Sequence, residues 1–106
     1  MIRLSSKGMS MNSEMIKYLN VLEHLSYILE CVILDCIGEA KTELGSLCKR
    51  IETNSNYQFE TCSSTYDGLS EVLDAYQRKD YRKAASILSR ITRQTWKMFL
   101  KQGFMS

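Results

Sequence analysis

Ser13-Glu-Met-Ile-Lys-Tyr-Leu-Asn-Val-Leu-Glu-His-Leu-Ser-Tyr-Ile-Leu-Glu-Cys-Val-Ile-Leu-Asp-Cys-Ile-Gly-Glu-Ala-Lys-Thr-Glu-Leu-Gly-Ser-Leu-Cys-Lys-Arg-Ile51 is the stretch whose reading decides the fold. Its apolar residues recur in steps of three and four: Met15, Tyr18/Leu19, Leu22, Leu25, Ile28/Leu29, Val32/Ile33, Cys36/Ile37, Ala40, Leu44, Leu47 and Ile51. That spacing puts one apolar stripe on a helix. Asn12 or Ser13 suits the start, because a short side-chain oxygen accepts an otherwise unpaired amide hydrogen bond. Gly38 and Gly45 are the weak points, each costing about 1 kcal/mol against alanine in a helix interior. Two versions are therefore open, one long helix or two helices hinged near Gly38.

Within this stretch, residues 25–37 are apolar on more than one face. A helix coated all round is covered on several sides. Either the later helices wrap it, or a second copy or a partner docks there. Leu25, Ile28, Leu29, Val32 and Ile33 are the candidate dimer face.

Downstream, Thr53-Asn-Ser-Asn-Tyr-Gln-Phe-Glu-Thr-Cys-Ser-Ser64 breaks the pattern with side chains that compete for helical backbone bonds. It reads as the main loop, with Tyr57 and Phe59 either pinning it to the core, the commoner fate, or presented to a ligand. Helical order returns at Ser64, with Asp67 placed to complete a capping box. Leu69, Val72, Leu73 and Tyr76 form the next stripe. A short turn, Gln77-Arg-Lys-Asp80, leads to a last helix from Tyr81 to about Gln102, with Asp80 as its N-cap and Gly103 as its C-cap. So short a connection requires an antiparallel αα-hairpin.

The segment Ala75-Tyr-Gln-Arg-Lys-Asp-Tyr-Arg-Lys-Ala-Ala85 resembles the turn of a tetratricopeptide repeat, with small and aromatic residues before the turn and Asp-Tyr then Ala after it. The turn is a residue shorter than that family's and lacks its glycine. No second copy appears at the family's period. The resemblance covers one hairpin and implies no membership.

The expected fold is therefore all-α, a small helical bundle of three to four helices. A long N-terminal helix, continuous or kinked near Gly38, packs on a C-terminal αα-hairpin. Residues 1–12 are expected to be a disordered leader and residues 13–106 a single helical domain. The 106 residues contain no proline and five glycines, too few turn formers for a sandwich or barrel. No secretory pattern or membrane-length apolar run is present, so a soluble cytoplasmic protein is expected.

Catalytic chemistry has little to draw on. A single histidine, His24, sits between Leu22 and Leu25 and reads as a boundary or surface residue. No phosphate-binding glycine loop is present. Cys31, Cys36, Cys48 and Cys62 contain no Cys-x-x-Cys pair and no zinc-like spacing with His24. On one continuous helix Cys31 and Cys36 would stand about 140° apart, which disfavours a bond between them. The cysteines read as small core residues, with a Cys48–Cys62 pairing across the loop left open. No enzyme activity, metal or cofactor is expected.

Charge carries the functional signal. Between Arg78 and Lys101 lie eight basic residues and one acid, a net charge of +7; the other six bases face eleven acids, which leaves −5 for the rest. Arg82, Arg90, Arg93, Lys97 and Lys101 fall in one line on the last helix, away from Leu88 and Ile91. This line either closes on the acids of the first helix or faces an acidic protein partner, with Trp96 as the aromatic anchor. The expected function is a non-catalytic protein–protein interaction module of the adaptor, chaperone, inhibitor or immunity type. A nucleic-acid-binding regulator using the basic helix is the alternative, disfavoured by a pI near 8.4 and an acidic first helix. A membrane-surface role for the aromatic end is a further reading, without stable insertion.

Overall fold

The computed structural model describes residues 13–105, with side chains described through Gln102. The expected leader, residues 1–12, lies outside the described residues. Four α-helices follow one another: α1 (Ser13–Ile33), α2 (Ile37–Thr53), α3 (Cys62–Gln77) and α4 (Tyr81–Met105), with one 3-10 turn at Ser55–Tyr57. The fold is a small all-α bundle, as the apolar spacing predicts. The short corners after α1 and α3 lie at one end, and the longer α2–α3 connection lies at the other.

The first pattern is two helices, and the break falls before Gly38. α1 ends at Ile33, and the chain reverses through Leu34, Asp35 and Cys36. Asp35 takes the left-handed conformation (φ 62°), its N–H donates to the Val32 carbonyl at 3.1 Å, and the Cys36 N–H reaches the Cys31 carbonyl at 2.8 Å. This pair of bonds is the Schellman closure of a helix end. Gly38 falls instead in the first turn of α2.

The α3–α4 corner repeats the closure. Lys79 has φ 63°, its N–H donates to the Tyr76 carbonyl at 3.0 Å, and the Asp80 N–H reaches the Ala75 carbonyl at 2.9 Å. The two left-handed residues are 44 positions apart (79 − 35). The same interval relates Leu25 to Leu69, Ile28 to Val72, Ala40 to Ala84, Leu44 to Leu88 and Leu47 to Ile91, all of them buried. The bundle is thus two hairpins of one register, packed on a shared core.

The connection between them is tied down rather than loose. Phe59 is buried and stacks on Tyr18, with ring centroids 4.2 Å apart. Burying such a ring stabilises the fold by about 1.5–3 kcal/mol. The Gln58 side chain donates to the Ile51 and Glu52 carbonyls at the end of α2 (2.8 and 3.1 Å), where helix carbonyls lack partners. Glu14 accepts from the Glu60 backbone N–H at 2.6 Å, and Asn20 donates to the Asn56 carbonyl at 3.0 Å. Both tie the connection to α1.

Two expected helix ends differ. α3 starts at Cys62 and its N-cap, Thr61, makes no side-chain capping bond. The hydroxyl of Ser64 therefore lies inside the first turn, too late to open a capping box with Asp67. α4 continues through Gly103 to Met105, so that glycine is not the C-cap.

Candidate partner-binding surface

α4 buries one side and exposes the other. Ala84, Leu88, Ile91 and Thr95 face the core. The Thr95 hydroxyl, short of partners there, donates to the Ile91 carbonyl one turn back at 2.8 Å. At a 3.6-residue period the opposite side is Arg82, Ser86, Arg90, Arg93, Trp96, Lys97, Leu100 and Lys101. All of these are exposed. Trp96 is 44% exposed and Leu100 is 50% exposed. The Trp96 ring is held edge-on to Phe99, with centroids 5.7 Å apart at 81°, so the ring is positioned by packing within its own helix.

The structure brings the expected basic residues onto one continuous face. Arg90 approaches Glu71 of α3 at 3.9 Å, a long contact between exposed groups. Arg82, Arg93, Lys97 and Lys101 form no ion pair among the described residues. The line does not close on α1: Glu23 and Glu30 are exposed and form no bridge to α4. Exposed pairs contribute about 0–1 kcal/mol, so little opposes recruitment of these cations by another molecule. Leu100, a step of four from Trp96, is exposed on the same face.

Beside Lys97 lies a cleft of about 420 Å³ between α1, α3 and α4. Tyr18 and Phe59 form its floor, and Thr61, Ser64, Thr65 and Gln94 line its rim. The Tyr18 hydroxyl is 3.4 Å from the Thr61 hydroxyl. Burial pushes the Tyr18 phenol above its ordinary range.

The candidate dimer face is largely internal. Leu25 and Ile28 are completely buried in the chain's own core, and Leu29 and Val32 pack against it. Only Ile33 is open, at 79% exposure, beside Leu34 at 67%. α2 and α4 both pack on α1, so two of its faces are covered from within.

His24 is buried rather than at the surface. Its Nε2 lies 2.8 Å from Glu43 Oε1, and its Nδ1 is buried without a partner. One turn along, the Tyr27 hydroxyl donates to Glu39. That bond favours the neutral phenol and raises Tyr27 above its ordinary range. The four cysteines are free thiols, with Cys31 and Cys48 buried. Burial pushes both of those thiols up. Among the described residues, no group of histidine, cysteine and carboxylate side chains could hold a metal ion. No described helix is long and apolar enough to cross a membrane.

Comparison with protein-family models, curated proteins and solved structures gives no match for this chain.

Proposed function

We propose that this chain is a non-catalytic protein-binding module that engages an acidic partner through the outer face of α4. One observation carries the reading: Arg93, Lys97 and Lys101 flank exposed Trp96 and Leu100 on a helix face that the rest of the bundle leaves uncovered. The cations supply long-range attraction and register. The aromatic and aliphatic side chains supply the desolvated centre where interface energy concentrates. The same apolar centre favours a protein over nucleic acid, because phosphates are met by the charges alone.

The test compares wild-type chain with Arg93→Glu/Lys97→Glu and with Trp96→Ala in capture from nuclease-treated lysate of the source cells. The expected result is one acidic protein retained in stoichiometric amount, weakened by roughly tenfold or more in both variants. Helicity and melting stay unchanged, since all three side chains are exposed. Capture that nuclease abolishes, or binding that only the charge reversal weakens and that falls steeply with salt, moves the function to nucleic acid.

A further inference from the structure

The α1–α2 corner brings together two thiols that a continuous helix would keep apart. Cys31 is the third residue from the end of α1 in the Schellman closure, and Cys36 is the third residue beyond that end. In a Schellman closure a contact between side chains at these two places is frequent, and here the Cys36 thiol turns back over the corner to donate to the Leu34 carbonyl at 3.8 Å. The backbone fixes the approach, because the Cys36 N–H donates to the Cys31 carbonyl at 2.8 Å. A disulfide needs side chains that converge over a short span, and the closed turn supplies that. We propose that Cys31 and Cys36 form an oxidant-reactive dithiol that closes to a disulfide across this corner.

The surroundings assign the two roles. Cys36 is exposed, stands as the N-cap of α2 and makes no capping bond. The N-terminal end of a helix favours negative charge. Cys31 is 6% exposed, among Tyr27, Glu39 and Tyr76. A peroxide therefore meets Cys36 first. The Cys36 sulfur attacks one peroxide oxygen, the O–O bond breaks, and Cys36 becomes a sulfenic acid with release of water or alcohol. The Cys31 sulfur then attacks the Cys36 sulfur. The S–O bond breaks, the S–S bond forms, and the hydroxyl leaves as water with the Cys31 proton. Two thiols are oxidised by two electrons and one peroxide is reduced. The opposite corner shows that the turn does not require cysteine, because Ala75 and Asp80 hold the same two places there. The bridge encloses Ile33 and Leu34, the two most exposed large apolar side chains described, so oxidation fixes the conformation in which that knuckle is presented.

The experiment treats the full chain with one equivalent of hydrogen peroxide, alkylates it after denaturation, and maps the peptides without reduction. Cleavage before Asp35 separates the two cysteines. The expected product is a linked pair of peptides, short by two hydrogen masses, with Cys31 and Cys36 lost together and both restored by dithiothreitol. In Cys31→Ser, a sulfenic acid trapped by dimedone at Cys36 rises severalfold; in the exposed-site variant Cys36→Ser, Cys31 stays alkylatable. The proposal is overturned if Cys36 passes to sulfinic acid while Cys31 remains a thiol, or if the bond that forms joins Cys48 or Cys62.

Discussion

In the α1–α2 hairpin the helices meet through polar side chains, His24 with Glu43 and Tyr27 with Glu39. In the α3–α4 hairpin one close contact is made over bare backbone, at Gly68. A Cβ on Gly68 would stand 2.7 Å from Ile91 Cδ1 and 2.9 Å from Cγ1, so the glycine is what admits that side chain. Gly68 occupies the place that His24 holds in the first hairpin, 44 residues earlier (68 − 24). The corners differ likewise. One carries exposed Ile33, Leu34 and Cys36; the other carries Arg78, Lys79 and Asp80, with the Asp80 carboxylate accepting from the Lys83 N–H at 3.3 Å. Two hairpins of one geometry are thus made by different chemistry. The turn and the leucine register are structural requirements, and the residues that differ are where other demands act.

If the shared register is what holds both hairpins, its loss should weigh equally on each. Leu44 and Leu88 are both completely buried, one turn past their corner alanines. Leu44→Ala and Leu88→Ala are each expected to destabilise the chain by about 2–5 kcal/mol, read as a shift in urea midpoint at constant slope. A cost well under 1 kcal/mol at Leu44 alone would mean that the polar hairpin can collapse around the gap, and the equivalence would be broken.

The next largest effect tests the polar seam. Glu43→Ala removes the partner of His24 Nε2 and leaves an imidazole with no hydrogen bond at either nitrogen, since Nδ1 already has none. The expected cost is about 1–3 kcal/mol. Replacing both partners, as His24→Leu with Glu43→Leu, should recover most of that loss, because an apolar pair leaves no orphaned group. A double variant as unstable as Glu43→Ala would show that the seam cannot be made to pack as the second hairpin does.

Much of this was legible in the chain. Tyr18, Leu22, Leu25, Leu44, Leu69, Leu88 and Ile91 announce themselves by spacing, and all are buried. The basic line on α4 follows from the same period. A break near Gly38 is legible as one of two readings, but its exact place is not, because the left-handed position is held by Asp35 while Gly38, the conspicuous residue, occupies ordinary helix. Burial of His24 was not legible either. Its carboxylate partner lies nineteen residues away on another helix, and only the position of the turn sets that register. The proposed pairing of Cys31 and Cys36 depends on the same turn. A reading that ran the helix through them placed them on different sides.

The smallest effect lies at the caps, and it asks whether the two corners can be exchanged. Asp80 begins α4 with a side-chain acceptor, whereas Cys36 begins α2 with none. A carboxylate at an N-cap satisfies an amide that the helix cannot and meets the positive end of the helix dipole. Asp80→Ala should therefore cost about 1 kcal/mol, and Cys36→Asp should add up to about 1 kcal/mol. Urea unfolding under reducing conditions reads both without interference from thiol chemistry. The second gain must be the smaller, because Asp35 and Glu39 already place negative charge beside that helix start. A stabilised Cys36→Asp would mean that the natural cysteine forgoes a cap that aspartate supplies at the matching corner. A residue retained at a cost to stability points to chemistry at the thiol. A Cys36→Asp variant no more stable than wild type would remove that argument and leave the two corners equivalent in everything but composition.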